Sequence, residues 1–345
     1  MKTISSSGSS RRSGAGVILA IIVASGCASA STANSTDRPS MSVVAHSIVE
    51  DSTELVTPTG TIHGTLELPA AATPVPVVLI IAGSGPTDRD GNSPALPGAN
   101  NSLKMLADGL AAEGVASVRY DKRGVAGSRA AANKEDDLRF SNFVDDASAW
   151  IRQLRADKRF STITIAGHSE GSLIGMIAAR AAAADGYVSL EGTGRNAKDI
   201  ITAQLAAQLP ANVVEQATAI MGKVERGEKA DSVPPFLAAL FRPSVQPYLA
   251  SWFKITPTAE IARLTIPVLV VQGTTDIQTS EEDAKLLAGA LPSARLLMVD
   301  GMNHVLKAAP ADRALQGPAY SDPTIPVVPR LLTEVSAFVK AVPER

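Results

Sequence analysis

The chain has 345 residues, of which 45% are hydrophobic and 19% charged, with a formal net charge of −2. That is enough apolar sequence for one sizeable core plus an insertion, and the near-neutral balance excludes an electrostatic case for nucleic acid, whose binding needs clustered Lys and Arg. Aromatic residues, at 4%, leave no stacking platform for bases or sugars, and the single cysteine, Cys27, excludes an internal disulfide.

Lys2, Arg11 and Arg12 form a positive segment ahead of an apolar run from Ala15 to Ala24. The run is too short for a stable membrane-spanning helix and suits the hydrophobic region of an export signal. Two processing sites compete. Ala24-Ser25-Gly26-Cys27 has the form of a bacterial lipobox, with Cys27 acylated as the new N-terminus, whereas Ala28-Ser29-Ala30 fits release of a soluble periplasmic or secreted protein. Residues 1–27 are assigned to a signal peptide and 28–42, rich in Ser, Thr and Asn, to a tether. The expected location is the cell envelope, with a lipid anchor on Cys27.

Residues 43–192 read as the first part of a core. From about Val43 the chain is strand-like, and the loose alternation of Gly60 to Leu68 predicts an antiparallel edge strand with His63 on its surface. Val77 to Ile81 is a buried strand, followed by the small-residue loop Ala82-Gly83-Ser84-Gly85-Pro86. That loop lacks a nucleotide fingerprint, having neither G-x-G-x-x-G nor G-K-[ST]. Asp88-Arg89-Asp90-Gly91-Asn92 offers oxygens at alternating positions but lacks the terminal Glu of a calcium loop, so it reads as a salt-bridged turn. A helix over Ser102–Glu113 precedes a strand over Ala116–Tyr120. Asp121 and Arg123 in the following segment read as structural. A helix over Phe143–Arg155 leads to a short β-branched strand, Thr162 to Ala166, and then to Gly167-His168-Ser169-Glu170-Gly171. The Ala-, Leu- and Ile-rich stretch from Ser172 to Ala184 reads as a helix.

Between Glu191 and Ile266 the alternation fails. Asn196–Leu209 and Ala211–Val224 are helical, after which Pro234, Pro235, Pro243 and Pro247 break the pattern repeatedly. Residues 193–262 are assigned to an inserted helical unit. Its apolar residues, among them Met221, Phe236, Leu237, Leu240, Phe241, Tyr248, Trp252 and Phe253, are expected to pack it onto the body, with walling of a pocket as the alternative. Residues 263–345 complete the core: a strand over Pro267–Val271, a helix over Glu281–Ala290, a strand over Ala294–Val299 and a closing helix over Pro326–Lys340. Strands alternating with helices specify a doubly wound, mostly parallel sheet.

The chemistry centres on Ser169. A G-x-S-x-G motif between strand and helix holds a serine on a tight, strained turn with its hydroxyl exposed. A nucleophile needs a base, and the base an orienting acid. Of His46, His63, His168 and His304, only His304 lies downstream of the motif, in a loop after a strand. Asp276, in Gly273-Thr274-Thr275-Asp276 directly after the strongest apolar strand of this half, is preferred over Asp300 as the acid. Backbone N–H groups of Ser84 (with Gly85 as fallback) and Glu170 are the candidate oxyanion donors. No metal-ligand spacing and no cofactor motif is present.

Ala82-Gly83-Ser84-Gly85, Asp121 to Ser128, Gly167 to Gly171, Gly273 to Asp276 and Asn303-His304, in this order, resemble the α/β-hydrolase superfamily, and within it the bacterial serine esterases and related serine peptidases. The resemblance covers roughly residues 60 to 345. It implies the α/β-hydrolase fold, with a helical cap inserted before the acid-bearing strand, and a cofactor-free serine hydrolase that cleaves small carboxylic esters through an acyl-enzyme. Many relatives carry His-Gly in the oxyanion loop where this chain has Ala82-Gly83, which leaves the donor there open. A peptidase on the same residues, or a non-catalytic surface lipoprotein keeping the fold for binding, are the rival expectations. Oligomeric state is not legible.

Overall fold

The computed structural model describes residues 48–70 and 74–344. Eight strands form one sheet: β1 (Val49–Thr57), β2 (Gly60–Leu68), β3 (Val75–Ile81), β4 (Ala116–Tyr120), β5 (Phe160–His168), β6 (Gly186–Leu190), β7 (Val268–Gly273) and β8 (Arg295–Val299). Their spatial order is β1-β2-β4-β3-β5-β6-β7-β8, with β1 and β2 antiparallel and the pairs from β4 to β8 parallel. The central strands are buried on both faces, which is why they read as continuous apolar runs. In β3, Val77, Leu79 and Ile81 enter one core layer while Val78 and Ile80 enter the other, the period-two alternation of a strand.

Eleven helices flank or extend from this sheet among the described residues: α1 (Ser102–Ala112), α2 (Phe140–Ala156), α3 (Glu170–Ala181), α4 (Ala197–Ala206), α5 (Ala211–Glu225), α6 (Ala238–Phe241), α7 (Gln246–Trp252), α8 (Pro257–Ile261), α9 (Glu281–Ala290), α10 (Gly317–Ser321) and α11 (Pro329–Lys340). Leu103, Leu106 and Leu110 of α1 and Leu331, Val335 and Val339 of α11 fill one layer. The other layer holds α2, α3 and α9 together with the buried faces of α4, α5 and α7.

Two differences from the sequence reading concern the sheet. Gly60–Leu68 is antiparallel, as expected, but is not the edge. β1 pairs with it from Val49↔Leu68 to Thr57↔Gly60 and takes the outer position. Its sequence, VEDSTELVT, hides this because Leu55 is its one buried residue and the rest suits a solvated edge. The second is β6, a fully buried strand between β5 and β7 that the sequence pattern does not show. Gly186 and Ser189 interrupt its apolar residues, so its five residues show neither a continuous apolar run nor an alternation.

In the 193–262 segment, Phe140 of α2 stacks on Trp252 at 6.0 Å between ring centroids, and Phe143 meets Tyr248 edge-on at 5.6 Å. Met221, Leu237, Phe241 and Phe253 are buried in the same layer, while Phe236 is exposed. These side chains hold the helices onto the body.

Candidate active site

The nucleophile candidate is presented by local sterics. Ser169 stands between β5 and α3 with φ 54° and ψ −119°, a conformation that costs energy for a residue with a Cβ. The flanking glycines make it possible. A Cβ at Gly167 would lie 2.2 Å from the Gly171 carbonyl oxygen, and one at Gly171 would lie 2.3 Å from that of Ile81. Strand and helix therefore approach each other only because both residues lack side chains. Ser169 N–H donates to the Leu190 carbonyl at 2.9 Å, locking the turn onto β6.

The other two groups come from the same sheet edge, on the loops after β7 and β8. His304 Nδ1–H donates to Asp276 Oδ2 at 2.7 Å, and both side chains are buried. Thr279 Oγ1 donates to the same carboxylate oxygen at 2.7 Å, and the N–H groups of Gln278 and Thr279 donate to Oδ1 at 2.6 and 3.0 Å. Burial works against the Asp276 charge. The adjacent His304 and the hydrogen bonds from His304, Glu191 and Gln278 outweigh it and hold the carboxyl well below the usual carboxylate range. Asp300 is exposed and accepts from Thr274 Oγ1 at 3.1 Å, so it is occupied away from the imidazole.

Ser169 and His304 line one pocket with Gly83, Ser84, Gln278 and Arg313. The apolar residues of the 193–262 segment are not among its walls, which come from the end of β5 with its elbow and from the segments after β3, β7 and β8. Ser84 lines it on the β3 side, and a Cβ at Gly83 would lie 3.1 Å from Ser169 Cβ, so this loop passes directly over the elbow. Glu170 provides the first N–H of α3, which has no intrahelical acceptor. Cys27 lies outside the described residues.

A model of the alpha/beta hydrolase family matches residues 95–314, which include the elbow, the acid and the histidine. The chain belongs to the alpha/beta hydrolase family. It is 28% identical over 253 residues to a protein named esterase EstD from Thermotoga maritima, a match covering 70% of this chain and 57% of that one. The chain thus spans little more than half the length of that relative. Among solved structures, the alpha/beta hydrolase GrgF from Penicillium sp. sh18 superposes with a TM-score of 0.56 at 15% identity, over 85% of this chain and 99% of that one. Est1E from Butyrivibrio proteoclasticus does so with a TM-score of 0.52 at 17% identity, over 84% and 96%. At these identities the likeness is one of fold.

Within this hydrolase frame the structure adds residues that the sequence did not bring forward. Glu191 directly follows β6, is fully buried, and has φ 50°. It accepts from Gly273 N–H at 2.9 Å and from Gln272 Nε2 at 2.6 Å. One ligand atom each of Glu191, Asp276 and His304 falls within 4.8 Å of the others, a span an ion could bridge, but the 2.7 Å contact already pairs Asp276 with His304. Burial and the neighbouring Asp276 charge push the Glu191 carboxyl well above its ordinary value of 4.5. The protonated form that this favours can donate to Asp276 and so support its charge. His168, the variable position of the motif, donates through Nε2–H to the His304 carbonyl at 2.7 Å, since a carbonyl can only accept. Burial and the adjacent His304 push this imidazole down to about 3, so it is a neutral brace for the His304 loop. No signal beyond adjacency to the motif marks it.

The remaining expectations concern structure. His63 is partly exposed on β2, with Nδ1 3.0 Å from Glu54 Oε1. Asp121 accepts from Arg89 Nη2 at 2.8 Å, and Arg123 holds Asp146 at 2.7 and 2.5 Å. Asp88 Oδ1 accepts from the N–H groups of Asp90 and Asn92, both at 2.9 Å, and Asp90 pairs with Arg119 at 2.8 Å, the salt-bridged turn read from the sequence.

Proposed function

We propose that the protein is a serine hydrolase that cleaves small carboxylic esters through an acyl-enzyme. The observation that carries this reading is the 2.7 Å His304–Asp276 hydrogen bond in the wall of a pocket shared with a strained Ser169. In this reading Ser169 Oγ attacks the ester carbonyl while His304 Nε2 takes its proton. The tetrahedral oxyanion is held by the N–H groups of Ser84 and Glu170, and collapse expels the alcohol, which receives the proton from His304. Water then repeats the sequence on the acyl-enzyme and releases the acid. Asp276 keeps the imidazole in the Nδ1–H tautomer, leaving Nε2 free to act as the base, and stabilises its charged form. The similarity to a protein named as an esterase supports an ester in preference to an amide.

The environment of the insertion's acidic residues weighs against a peptidase. Capture of a peptide amino terminus needs a carboxylate aimed into the pocket. Glu225 pairs with Lys198 at 2.5 Å and Glu228 with Arg226 at 2.7 Å, and Glu215 is exposed on α5, none of them at the pocket.

A fluorophosphonate that labels wild-type protein but not Ser169→Ala separates a hydrolase from a binding module. Turnover of a panel of short- and long-chain acyl esters beside aminoacyl amides then assigns the substrate class. Absence of labelling at Ser169 would overturn the proposal.

The second part of the proposal concerns location. Acylation of Cys27 in the lipobox-like Ala24-Ser25-Gly26-Cys27, with 28–42 as the linking segment, would hold the enzyme at a membrane surface while its site faces water. Among the described residues no helix is long and apolar enough to cross a membrane.

A further inference from the structure

Lys122 follows β4, and its side chain is 3% exposed. A buried ammonium must be paired and hydrogen-bonded. Its Nζ donates to the Gly83 carbonyl at 2.5 Å and to Glu170 Oε2 at 2.8 Å. One cation thereby ties the loop after β3 to the first residue of α3, groups 39 and 48 residues away from it along the chain.

The two tethered residues flank the place where negative charge would develop. The Gly83 carbonyl and the Ser84 N–H belong to one peptide unit. That unit is planar and trans, so the two groups point in opposite directions. Holding the carbonyl on Lys122 therefore turns the Ser84 N–H away from Lys122. Ser84 lines the pocket that holds Ser169. On the other side, the Glu170 carboxylate is held by Lys122 through Oε2 and by the Tyr248 hydroxyl through Oε1, which tethers the residue carrying the first N–H of α3 from its side chain. Tyr248 lies on α7, which ties the 193–262 segment to the same carboxylate. Desolvating a lysine and a glutamate costs about as much as their attraction returns, so a pair like this is poor evidence for stability. Its geometric consequence is the more informative one.

We propose that Lys122 is a positioning residue that sets both donors of the oxyanion hole at once, through the Gly83 peptide and through Glu170. This rests on the acyl-transfer reading above. It makes no contact with the reacting atoms, and it acts by fixing the direction of two N–H groups that do. Removing it would let the Gly83–Ser84 peptide rotate, and the loss would appear in the transition state rather than in ground-state binding.

The test uses Lys122→Met, which keeps the length of the stem and removes the donors. Because that change leaves the Glu170 carboxylate buried without its cation, Lys122→Met/Glu170→Gln is measured beside it, restoring charge balance. The expected result is a folded double variant, judged by its thermal transition, whose kcat on an ester falls about 10²-fold, near the loss from removing one oxyanion donor. KM should change only a few-fold. Affinity for a trifluoromethyl ketone, whose hydroxyl adduct carries the oxyanion, should fall in step with kcat. The pH profile should keep its shape, because the His304–Asp276 pair is untouched. Wild-type kcat and wild-type ketone affinity in the folded double variant would overturn the role of Lys122 while leaving the hydrolase intact. Failure of wild-type protein itself to react with fluorophosphonate would overturn the acyl-transfer reading and this one with it.

Discussion

His304 Nδ1 and Asp276 Oδ2 lie 2.7 Å apart although 28 residues separate them in the chain. They meet because β7 and β8 are parallel neighbours, so the loops at their C-terminal ends open side by side on one edge of the sheet. The carboxylate is already supplied with two backbone N–H groups and the Thr279 hydroxyl, which leaves it ionised and aimed before any substrate arrives.

Ser169→Ala and His304→Ala are each expected to cut ester turnover by several orders of magnitude while the thermal transition stays close to that of wild type. In the proposed mechanism nucleophile and base act as one unit, so either loss would leave only the oxyanion hole and binding, about 10³–10⁴ over water. Steady-state kinetics on purified variants decide it. Full activity in Ser169→Ala would remove the mechanism.

Asp276→Asn should lower kcat by about 10⁴, since the amide presents a donor to Nδ1 and favours the wrong imidazole tautomer. Asp300→Asn should change it by no more than a few-fold, because Asp300 is exposed and bonded to Thr274. The two variants assayed together on one ester are sufficient. A dead Asp300→Asn beside an active Asp276→Asn would reverse the assignment.

Glu191→Gln tests the neutral carboxyl. The folded-state carboxyl titrates well above 4.5, whereas in the unfolded chain it ionises near that value. Between the two, the unfolded state binds fewer protons, so this group's contribution to stability is present below 4.5 and is lost as pH rises toward the folded-state value. Gln cannot ionise and removes that loss. The variant should therefore gain on wild type as pH increases from about 4.5 to 8, by at most about 1.4 kcal/mol per pH unit. Denaturant melts at both pH values measure the gap, and a gap that does not change with pH would mean that Glu191 is ionised in the folded protein.

Cys27→Ser is expected to release the protein from membranes or stall its processing. Each buried CH₂ of an acyl chain contributes about 0.8 kcal/mol, so several chains on Cys27, if it is acylated as proposed, would hold the protein without a spanning helix. Mass spectrometry of the mature N-terminus gives the answer directly. An unmodified chain beginning at Ser31 would mean that Ala28-Ser29-Ala30 is cleaved and the protein is soluble.

The elbow was legible because its causes are local. A β-branched strand, two glycines and an Ala-rich helix lie within about twenty consecutive residues, and the steric contact at Gly167 is with Gly171 and Ser172 of the same stretch, although the contact at Gly171 is with Ile81 and Ala82 at the end of the distant β3. His304 and Asp276 could be brought forward from chain order and from the apolar strands that precede them. Glu191 could not, because Gly186 and Ser189 break the pattern of β6 and a glutamate after it looks like any loop residue. Lys122 and Tyr248 were equally opaque. Nothing in the local pattern singles out a lysine two residues past a strand, and a tyrosine in a proline-broken segment reads as packing.

The sequence by itself determined the strands of the parallel core except β6, the turn that carries Ser169 and the order of the candidate nucleophile, acid and base, since each follows from hydrophobic period, glycine sterics or position along one chain. Tertiary structure alone decided that β1 takes the edge, that Glu191 stands behind Asp276, and that Lys122 reaches Gly83 and Glu170 together. The edge position of β1 depends on its pairing with β2, and the other two arrangements depend on the strand order β4-β3-β5-β6-β7, which brings residues from distant parts of the chain into a shared, water-poor volume. Burial there sets which carboxyl ionises and which cation must find a partner, and neither burial nor partner is written in the local pattern of residues.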